Sequence, residues 1–306
     1  MVQLYVGVTD RDWFDFLSAK RPAEGINFWQ PGGHTQFKAL RPGELFLFKL
    51  HSPNNFIVGG GVFAHASILP VSLVWEAFGE GNGASSIGEM KRRIAKYRRQ
   101  PLVEREDYHI GCRVLEQPFF LPRERWIPVP VSWSSNIVSG KRFDTETVDG
   151  RYLWDALGDS LTGIAETGPA ADTLRYGPPT LVRPRLGQGT FRLAVTDTYE
   201  RRCAVSQERT LPILDAAHIR SYADGGAHEI SNGLLLRTDI HKLFDLGYVT
   251  VSEDGRFEVS RRLKEDFQNG KHYYAHHGQQ IWQPRDPGRR PNPEALAWHR
   301  QERYLG

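Results

Sequence analysis

The chain has 306 residues, of which 40% are hydrophobic and 25% charged, and its formal net charge is +3 at pH 7. These values exclude disordered and collagen-like chains, and the length predicts two domains that can each bury a core. No apolar run approaches the ~20 residues that cross a bilayer, and no charged-then-apolar leader opens the chain, so the sequence predicts a cytoplasmic protein without a membrane partner.

The two cysteines, Cys112 and Cys203, lie far apart and belong to no CxxC pair. Their positions argue against a disulfide framework and against a zinc knuckle. The chain also lacks a glycine-rich phosphate loop followed by Lys-Ser or Lys-Thr. Any cleavage reaction is therefore expected to be independent of ATP hydrolysis by this chain.

The amino-terminal half predicts a sheet with a helix after its first strand. Residues 3–8 alternate as a half-buried strand does, and Asp10 follows as the cap of a helix. Residues 37–48 predict a strand, a tight turn and a second strand. Residues 55–63 predict a further strand with glycines at its bend.

One of these turns carries a family resemblance. The sequence LRPGELFLF at residues 40–48, followed by the glycine-rich strand, resembles the PUA-like superfamily that includes EVE and ASCH domains. The resemblance extends to about Val131. It implies a small, strongly bent β-barrel with helices at its rim, and it implies binding of a nucleotide flipped out of a duplex, often one with a modified base.

A flipped base needs an aromatic cavity, because stacking on flat side chains replaces the base stacking lost on extrusion. Trp29 is the first candidate, since its Pro-Gly-Gly loop predicts a place near the surface. The alternative for every such aromatic residue is packing in the core or at the rim. The full set of candidate base-contacting residues is Phe28, Trp29, Trp75, Trp133, His51 and Ser52.

Residues 87–99 predict a helix with one packing face and a basic remainder. The basic residues fit contact with a DNA backbone, and they fit a solvated charged face equally well. The packing face is formed by Ile87, Met90, Ile94 and Tyr97.

A linker divides the chain. Residues 115–142 are apolar but broken by prolines, so they can close a barrel edge and cannot form a central strand. Residues 161–184 are rich in Gly, Pro, Ala and Thr. The sequence therefore predicts a recognition domain at residues 1–160, a linker at 161–184 and a second domain at 185–306.

The second domain contains three polar side chains at fixed places between apolar runs: His218, Asn232 and His241. The first follows a short apolar run, and turn residues come after it. The second opens a short apolar strand. The third lies on a predicted helix that begins near Thr238 and ends before Gly247.

This pattern, with Ala-Ala-His-Ile, Asn-Gly-Leu and His-x-Leu-Phe-Asp-x-Gly in order, resembles the HNH nucleases. The resemblance covers about 50 residues and implies a ββα-metal unit that cleaves phosphodiesters. It implies that His218 is the general base, that Asn232 holds the loop and the base ring, and that His241 binds a divalent metal. Mg²⁺ or Mn²⁺ is expected, and another transition metal stays open.

The second metal ligand is less determined. Family members often carry an acidic residue directly before the base, and here that position is Ala217. Asp215 is the nearest carboxylate, but residues 215 and 218 face opposite ways in a regular strand, so a bulge is expected if Asp215 binds the metal. Asp239 and Asp245 are alternatives, with helix capping and turn formation as their ordinary roles.

The excess of basic residues lies with the motif. Residues 1–180 hold 20 basic and 20 acidic side chains, whereas residues 181–306 hold 19 and 16. Arg192 and Arg202 are candidates for phosphate contacts beside the active site. A solvated face of mixed charge explains the same excess.

Together the two resemblances predict an α+β protein, with an amino-terminal PUA-like β-barrel and a carboxy-terminal ββα-metal domain. They imply a bacterial restriction endonuclease that cuts double-stranded DNA after it reads a modified base, expected to be a cytosine, and a homodimer if both strands are cut. A homing or repair nuclease directed by structure or sequence is the second interpretation. A nucleic-acid binding module with a weakened site is the third, and Ala217 favours it.

Overall fold

The computed structural model describes residues 2–98, 106–158 and 186–306. The chain divides into two compact units, Met1–Thr190 and Phe191–Gly306. The linker predicted at residues 161–184 lies outside the described residues. Among the residues described, no helix is long and apolar enough to cross a membrane.

The first unit is built on a mixed sheet. Within the described residues its strand order is β2-β5-β4-β3-β1-β7, and β6 pairs with β4. The pair β1 and β3 is parallel, and the other pairs are antiparallel. The strands are β1 Gln3–Thr9, β2 Ile26–Asn27, β3 Leu45–Leu50, β4 Phe56–Pro70, β5 His109–Phe120, β6 Ile127–Pro128 and β7 Gly140–Asp144.

The long strand β4 bends the sheet. Its register with β5 shifts between Gly60 and Val62 and again between Phe63 and His65, and such bulges increase local twist and curvature. A side chain at Gly59 would collide with the Phe119 carbonyl oxygen. The glycines predicted at this bend are therefore required by the close approach of the neighbouring strand.

The turn before β3 differs from the prediction. Residues 37–40 form no strand, and the ladder begins only at Leu45. The reason is the Glu44 carboxylate, which accepts hydrogen bonds from the Arg41 and Gln3 amides and closes the turn. Phe37 packs edge-on against Tyr5, 4.9 Å between ring centroids, instead of pairing.

Two helices of the first unit, α2 and α4, pack against its sheet. Asp10 caps α1 as predicted, since its Oδ1 accepts a hydrogen bond from the Trp13 amide at 2.7 Å. Thr147 caps α4 in the same way through the Gly150 amide. The helices are α1 Arg11–Lys20, α2 Val71–Phe78, α3 Ile87–Arg98 and α4 Val148–Leu157.

The second unit contains two strand pairs and a group of helices. Strands β8 and β9 pair antiparallel, and so do β10 and β11. The predicted α+β class is confirmed for both units. Helix α5, Gln188–Thr198, begins in the last residues of the first unit and continues into the second. The other elements are β8 Leu214–His218, β9 Gly233–Arg237, α6 Thr238–Asp245, β10 Val249–Val251, β11 Phe257–Val259, α7 Arg262–Phe267, α8 Lys271–Tyr274 and α9 Pro293–Glu302.

A buried histidine joins α9 to this core. His299 is 2% exposed and its ring stacks on Phe244 at 3.6 Å. Its Nε2 lies 3.0 Å from the Phe244 carbonyl oxygen and its Nδ1 lies 2.9 Å from the Thr250 hydroxyl. A neutral ring satisfies both contacts, donating to the carbonyl and accepting from the hydroxyl. Burial lowers the pKa of His299 to about 4.

We expect the second unit to lose stability as the pH falls from about 6.5 to about 4. In this window the unfolded chain binds a proton at His299 and the folded chain does not, so the loss reaches about 3 kcal/mol for this residue. His299→Gln should be less stable at pH 7 but less sensitive to acid. Hydrogen exchange of the β10 and β11 amides at pH 7, 6 and 5 measures this. The exposed His272→Gln is the control, and an unchanged slope in His299→Gln contradicts the assignment.

Candidate active site

The predicted strand, loop, strand and helix fold into one compact ββα arrangement. β8 and β9 pair in unbroken register, from Leu214 opposite Arg237 to His218 opposite Gly233. Helix α6 follows β9 directly, with no residue between them. Because the loop after β8 returns to Gly233, the end of β8 and the start of β9 lie side by side.

His218 is the last residue of β8, and its ring is held by a flat neighbour. The ring stacks on Phe191 with 3.9 Å between centroids and 7° between planes. Phe191 can approach because residue 233 is glycine, since a Cβ atom there would lie 2.9 Å from the Phe191 ring. The glycine of the Asn-Gly pair is therefore needed because Phe191 packs against it.

The environment of His218 keeps its imidazole neutral. Burial, and secondarily the charges of His228 and His241, lower the pKa of His218 to about 4. Its Nε2 is buried and has no hydrogen-bond partner among the described residues. A neutral imidazole has one nitrogen with a free lone pair, so this ring can accept a proton, as a general base must.

Asn232 holds the loop that follows His218. Its Oδ1 accepts from the Arg220 amide at 3.0 Å, and its Nδ2 donates to the carbonyl oxygens of Arg220 and Ala227, both at 2.8 Å. The side chain is 5% exposed. Asn232 was predicted to hold both the loop and the His218 ring. Its hydrogen bonds are to the loop, and the residue stacked on the His218 ring is Phe191.

His241 lies on α6 between two carboxylates. Its Nδ1 is 3.4 Å from Asp215 Oδ2, and its Nε2 is 3.5 Å from Asp245 Oδ2. Asp215 reaches His241 from a regular strand, so the bulge expected from the sequence is absent. The reason is the position of α6, which packs against β8 as well as β9.

Asp239, the other alternative ligand, is engaged elsewhere. Both of its oxygens accept from the Arg237 guanidinium, at 2.7 and 2.6 Å, and Oδ2 also accepts from the Tyr273 hydroxyl at 3.0 Å. These contacts lower the pKa of Asp239, the Arg237 hydrogen bond first among them. Asp239 therefore ties the start of α6 to α8.

The donors near His241 fit a partly hydrated divalent ion. Among the described residues no three His, Cys, Asp or Glu side chains form a group that could hold a metal by themselves. Asp215 and His241 instead offer one carboxylate and one imidazole, with the side chains 32% and 26% exposed. Mg²⁺ and Mn²⁺ sites of this kind complete their coordination with water and substrate phosphate oxygens.

The two arginines predicted to contact phosphates have partners of their own. Arg202 donates to the Glu200 carboxylate at 2.8 Å and lies 5.1 Å from the Trp282 ring. Arg192 is partly buried on α5. Phosphate contact by Arg192 and Arg202 stays a prediction.

Sequence reasoning missed two residues around His218. Phe191 lies far from the motif in sequence, and only the Asn-Gly pair hints that a ring packs there. His228 lies in the loop held by Asn232, with its ring 5.3 Å from that of His218 and at 85° to it. A histidine in a glycine-rich turn just before Asn232 was the available signal.

Phe191→Leu is expected to lower the turnover rate by about 10- to 100-fold, because a mobile His218 ring departs from the attack geometry. Phe191→Tyr keeps a flat ring and should restore most of the rate. Steady-state cleavage, with circular dichroism as a folding control, measures both variants. If leucine and tyrosine act alike, the stacking has no role in catalysis.

The first unit contains a cavity of about 260 Å³ with an aromatic wall. Three of the predicted base-contacting residues line it: Phe28, Trp29 and His51. Trp75 and Trp133 do not line it, and Ser52 lines a neighbouring depression that shares His51.

Two lining residues were not foreseen in this role. Tyr97, assigned from the sequence to the packing face of its helix, is 43% exposed at the cavity, and its ring is parallel to that of His51 within 9°. Arg113 on β5 also lines the cavity. Trp29 is 9% exposed, because its indole N–H donates to the Asn82 carbonyl at 3.0 Å.

Comparisons with known proteins find one family-model match and distant likenesses to solved structures. Residues 203–252 match the family model described as HNH endonuclease, which confirms the predicted resemblance. The chain is similar to an ASCH structure from Zymomonas mobilis, with a TM-score of 0.34 and 10% identity over 50% of this chain and 94% of that one. It is also similar to a structure described as the modification-dependent TagI restriction endonuclease, with a TM-score of 0.28 and 12% identity over 93% of this chain and 77% of that one. A search of curated proteins finds no significant match.

Proposed function

We propose that the second unit hydrolyses DNA phosphodiesters and that the first unit restricts this cleavage to DNA with a modified base, expected to be a cytosine. The observation that carries the nuclease proposal is the neutral His218 ring, stacked on Phe191, within the ββα segment that matches the HNH endonuclease family model. The protein would then act as a modification-dependent restriction endonuclease in the bacterial cytoplasm.

Each residue of the site has a chemical task in this proposal. The neutral ring of His218 takes the proton of the attacking water, and Phe191 keeps the ring plane fixed. Asn232 keeps the following loop in place through its three hydrogen bonds. Asp215 and His241 would hold a divalent ion, which supplies charge neutralisation at the scissile phosphate when bound.

The cavity of the first unit supports the recognition half of the proposal. Its volume of about 260 Å³ is below the roughly 300–1,000 Å³ of drug-sized ligand sites, which suits one small planar group. Stacking on its aromatic wall offsets the loss of base stacking on extrusion. Since one active site cuts one strand, cleavage of both strands calls for two copies or two binding events.

Ala217 favours the weakened-module interpretation less than the sequence alone suggests. Ala217 is fully buried, so a carboxylate at this position would be desolvated. Asp215 meets His241 from the same strand instead. The metal ligand that the family pattern places before the base thus has a substitute two residues earlier.

Cleavage of matched plasmids tests the proposal. The purified chain should cut modified plasmid with Mg²⁺ or Mn²⁺ and should be inactive in EDTA. Equal cutting of unmodified plasmid supports the homing or repair interpretation instead. Binding without any cutting, across divalent metals, supports the inactive module.

A further inference from the structure

We propose that Arg113 determines which ligand the cavity of the first unit accepts, by donating to a planar ring that presents two adjacent hydrogen-bond acceptors. The inference rests on the proposed function, in which that ring is a base extruded from a duplex. It adds which edge of the base is recognised and which residue recognises it.

Arg113 carries a buried charge without a carboxylate partner. Its side chain is 5% exposed, and among the ion pairs of the described residues none involves it. One terminal nitrogen donates to the Gln30 side-chain oxygen. Its Nε is buried and has no hydrogen-bond partner within the part of the chain that the structure describes.

The remaining neighbours of the guanidinium are aromatic. Its central carbon lies 4.6 Å from the Phe37 ring, 5.5 Å from Tyr5 and 5.8 Å from Phe28. These rings attract a cation through their faces, and the Tyr5 side chain also hydrogen-bonds to the guanidinium. None of these neighbours carries a carboxylate. Burial accordingly lowers the pKa of Arg113, although an arginine stays protonated in proteins.

A buried, unpaired charge is costly, and such groups occur where a ligand completes them. The guanidinium is a flat fork that pairs with two acceptors in one plane. Cytosine offers two such acceptors at ring positions N3 and O2, and an oxygen-rich substituent such as a 5-carboxyl group offers two more. Thymine has a donor at N3, which would oppose the N–H groups of Arg113.

A second charged residue, Asp10, lies in the same cavity and can accept a hydrogen bond from a ligand whose acceptors face Arg113. Asp10 lines the cavity, and its Oδ2 lies 3.3 Å from the Tyr97 hydroxyl. Asp10 and Arg113 form no ion pair with each other among the described contacts. A ligand with acceptors on one edge and an amino group on another, as cytosine has, can satisfy both charges.

Fluorescence anisotropy of the full-length chain in EDTA at fixed salt tests the inference. The probes are duplexes of one sequence with cytosine, 5-methyl-, 5-formyl- or 5-carboxylcytosine, or thymine at a single position. Arg113→Met should reduce the ratio of the weakest to the tightest dissociation constant in this series by about 10- to 100-fold, the usual contribution of one bidentate arginine contact. Arg125→Met, at an exposed arginine of the same unit, should keep the spread.

Thermal unfolding provides the second measurement. Replacing an unpaired buried charge with an apolar side chain of similar length is expected to leave the melting temperature unchanged or to raise it. Lost selectivity with retained stability therefore supports a reading role, whereas a large fall in melting temperature shows that Arg113 is structural and overturns it.

The series also separates the two sources of acceptors. Tighter binding from methyl to carboxyl places the acceptors on the substituent, and equal binding of the cytosines with weak binding of thymine places them on the ring. If the wild-type protein prefers one duplex and Arg113→Met keeps that preference, this inference fails and the proposed function stands. If the wild-type protein binds every duplex equally, the inference and the proposed recognition of a modified base both fail.

Discussion

Replacing His218 with alanine is expected to lower the rate of DNA cleavage by about 100- to 10,000-fold, the usual contribution of a general base. The reason is that the His218 ring is held neutral, and stacked on Phe191, at the end of β8 in the ββα unit. Single-turnover cleavage at saturating Mn²⁺ measures the effect without interference from product release.

The matched control is His272→Ala, which removes an exposed histidine from the same unit. Circular dichroism and the melting temperature establish that both variants are folded. Retention of the full rate by folded His218→Ala would remove this residue from the mechanism and leave His228, its ring neighbour, as the next histidine to test.

The second large effect is expected at the proposed metal ligands. His241→Ala and Asp215→Asn should each weaken Mn²⁺ binding by at least about 100-fold, the upper end of what loss of even an outer-sphere partner costs. Isothermal titration calorimetry of the full-length chain measures affinity directly. Cleavage at low metal concentration should fall in parallel.

Asp245→Asn distinguishes the two carboxylates around His241. Its side chain is 53% exposed and lies on the same helix as His241, whereas Asp215 reaches the ring from the strand. We expect a smaller change in Mn²⁺ affinity for Asp245→Asn than for Asp215→Asn. The reverse order would make Asp245 the ligand and Asp215 a partner that orients the ring.

The sequence predicts those parts of the site that local pattern determines. The short strands, the turn, the Asn-Gly pair and the helix that carries His241 follow from residue spacing and from the family resemblance. The meeting of Asp215 with His241 depends on how a helix packs across two strands, which a strand pattern does not encode. The stacking of Phe191 on His218 depends on a contact between residues distant in sequence.

The first unit shows the same division. The cap at Asp10 and the glycine bend in β4 are local and were predicted correctly. The Pro-Gly-Gly loop after Trp29 suggested a surface position, but the indole bonds to the Asn82 carbonyl and the ring is mostly buried. Arg113 has no sequence signal at all, because a lone arginine in an apolar strand does not reveal whether an acid lies opposite.

The direct passage from β9 into α6 limits how this site can evolve. One residue inserted between Arg237 and Thr238 would rotate the helix by about 100° and turn His241 away from Asp215. Descendants of this chain should therefore keep the length of this junction. Changes in metal preference should arise by substitution at positions 215 and 241, while length variation should be concentrated in connections outside the ββα unit.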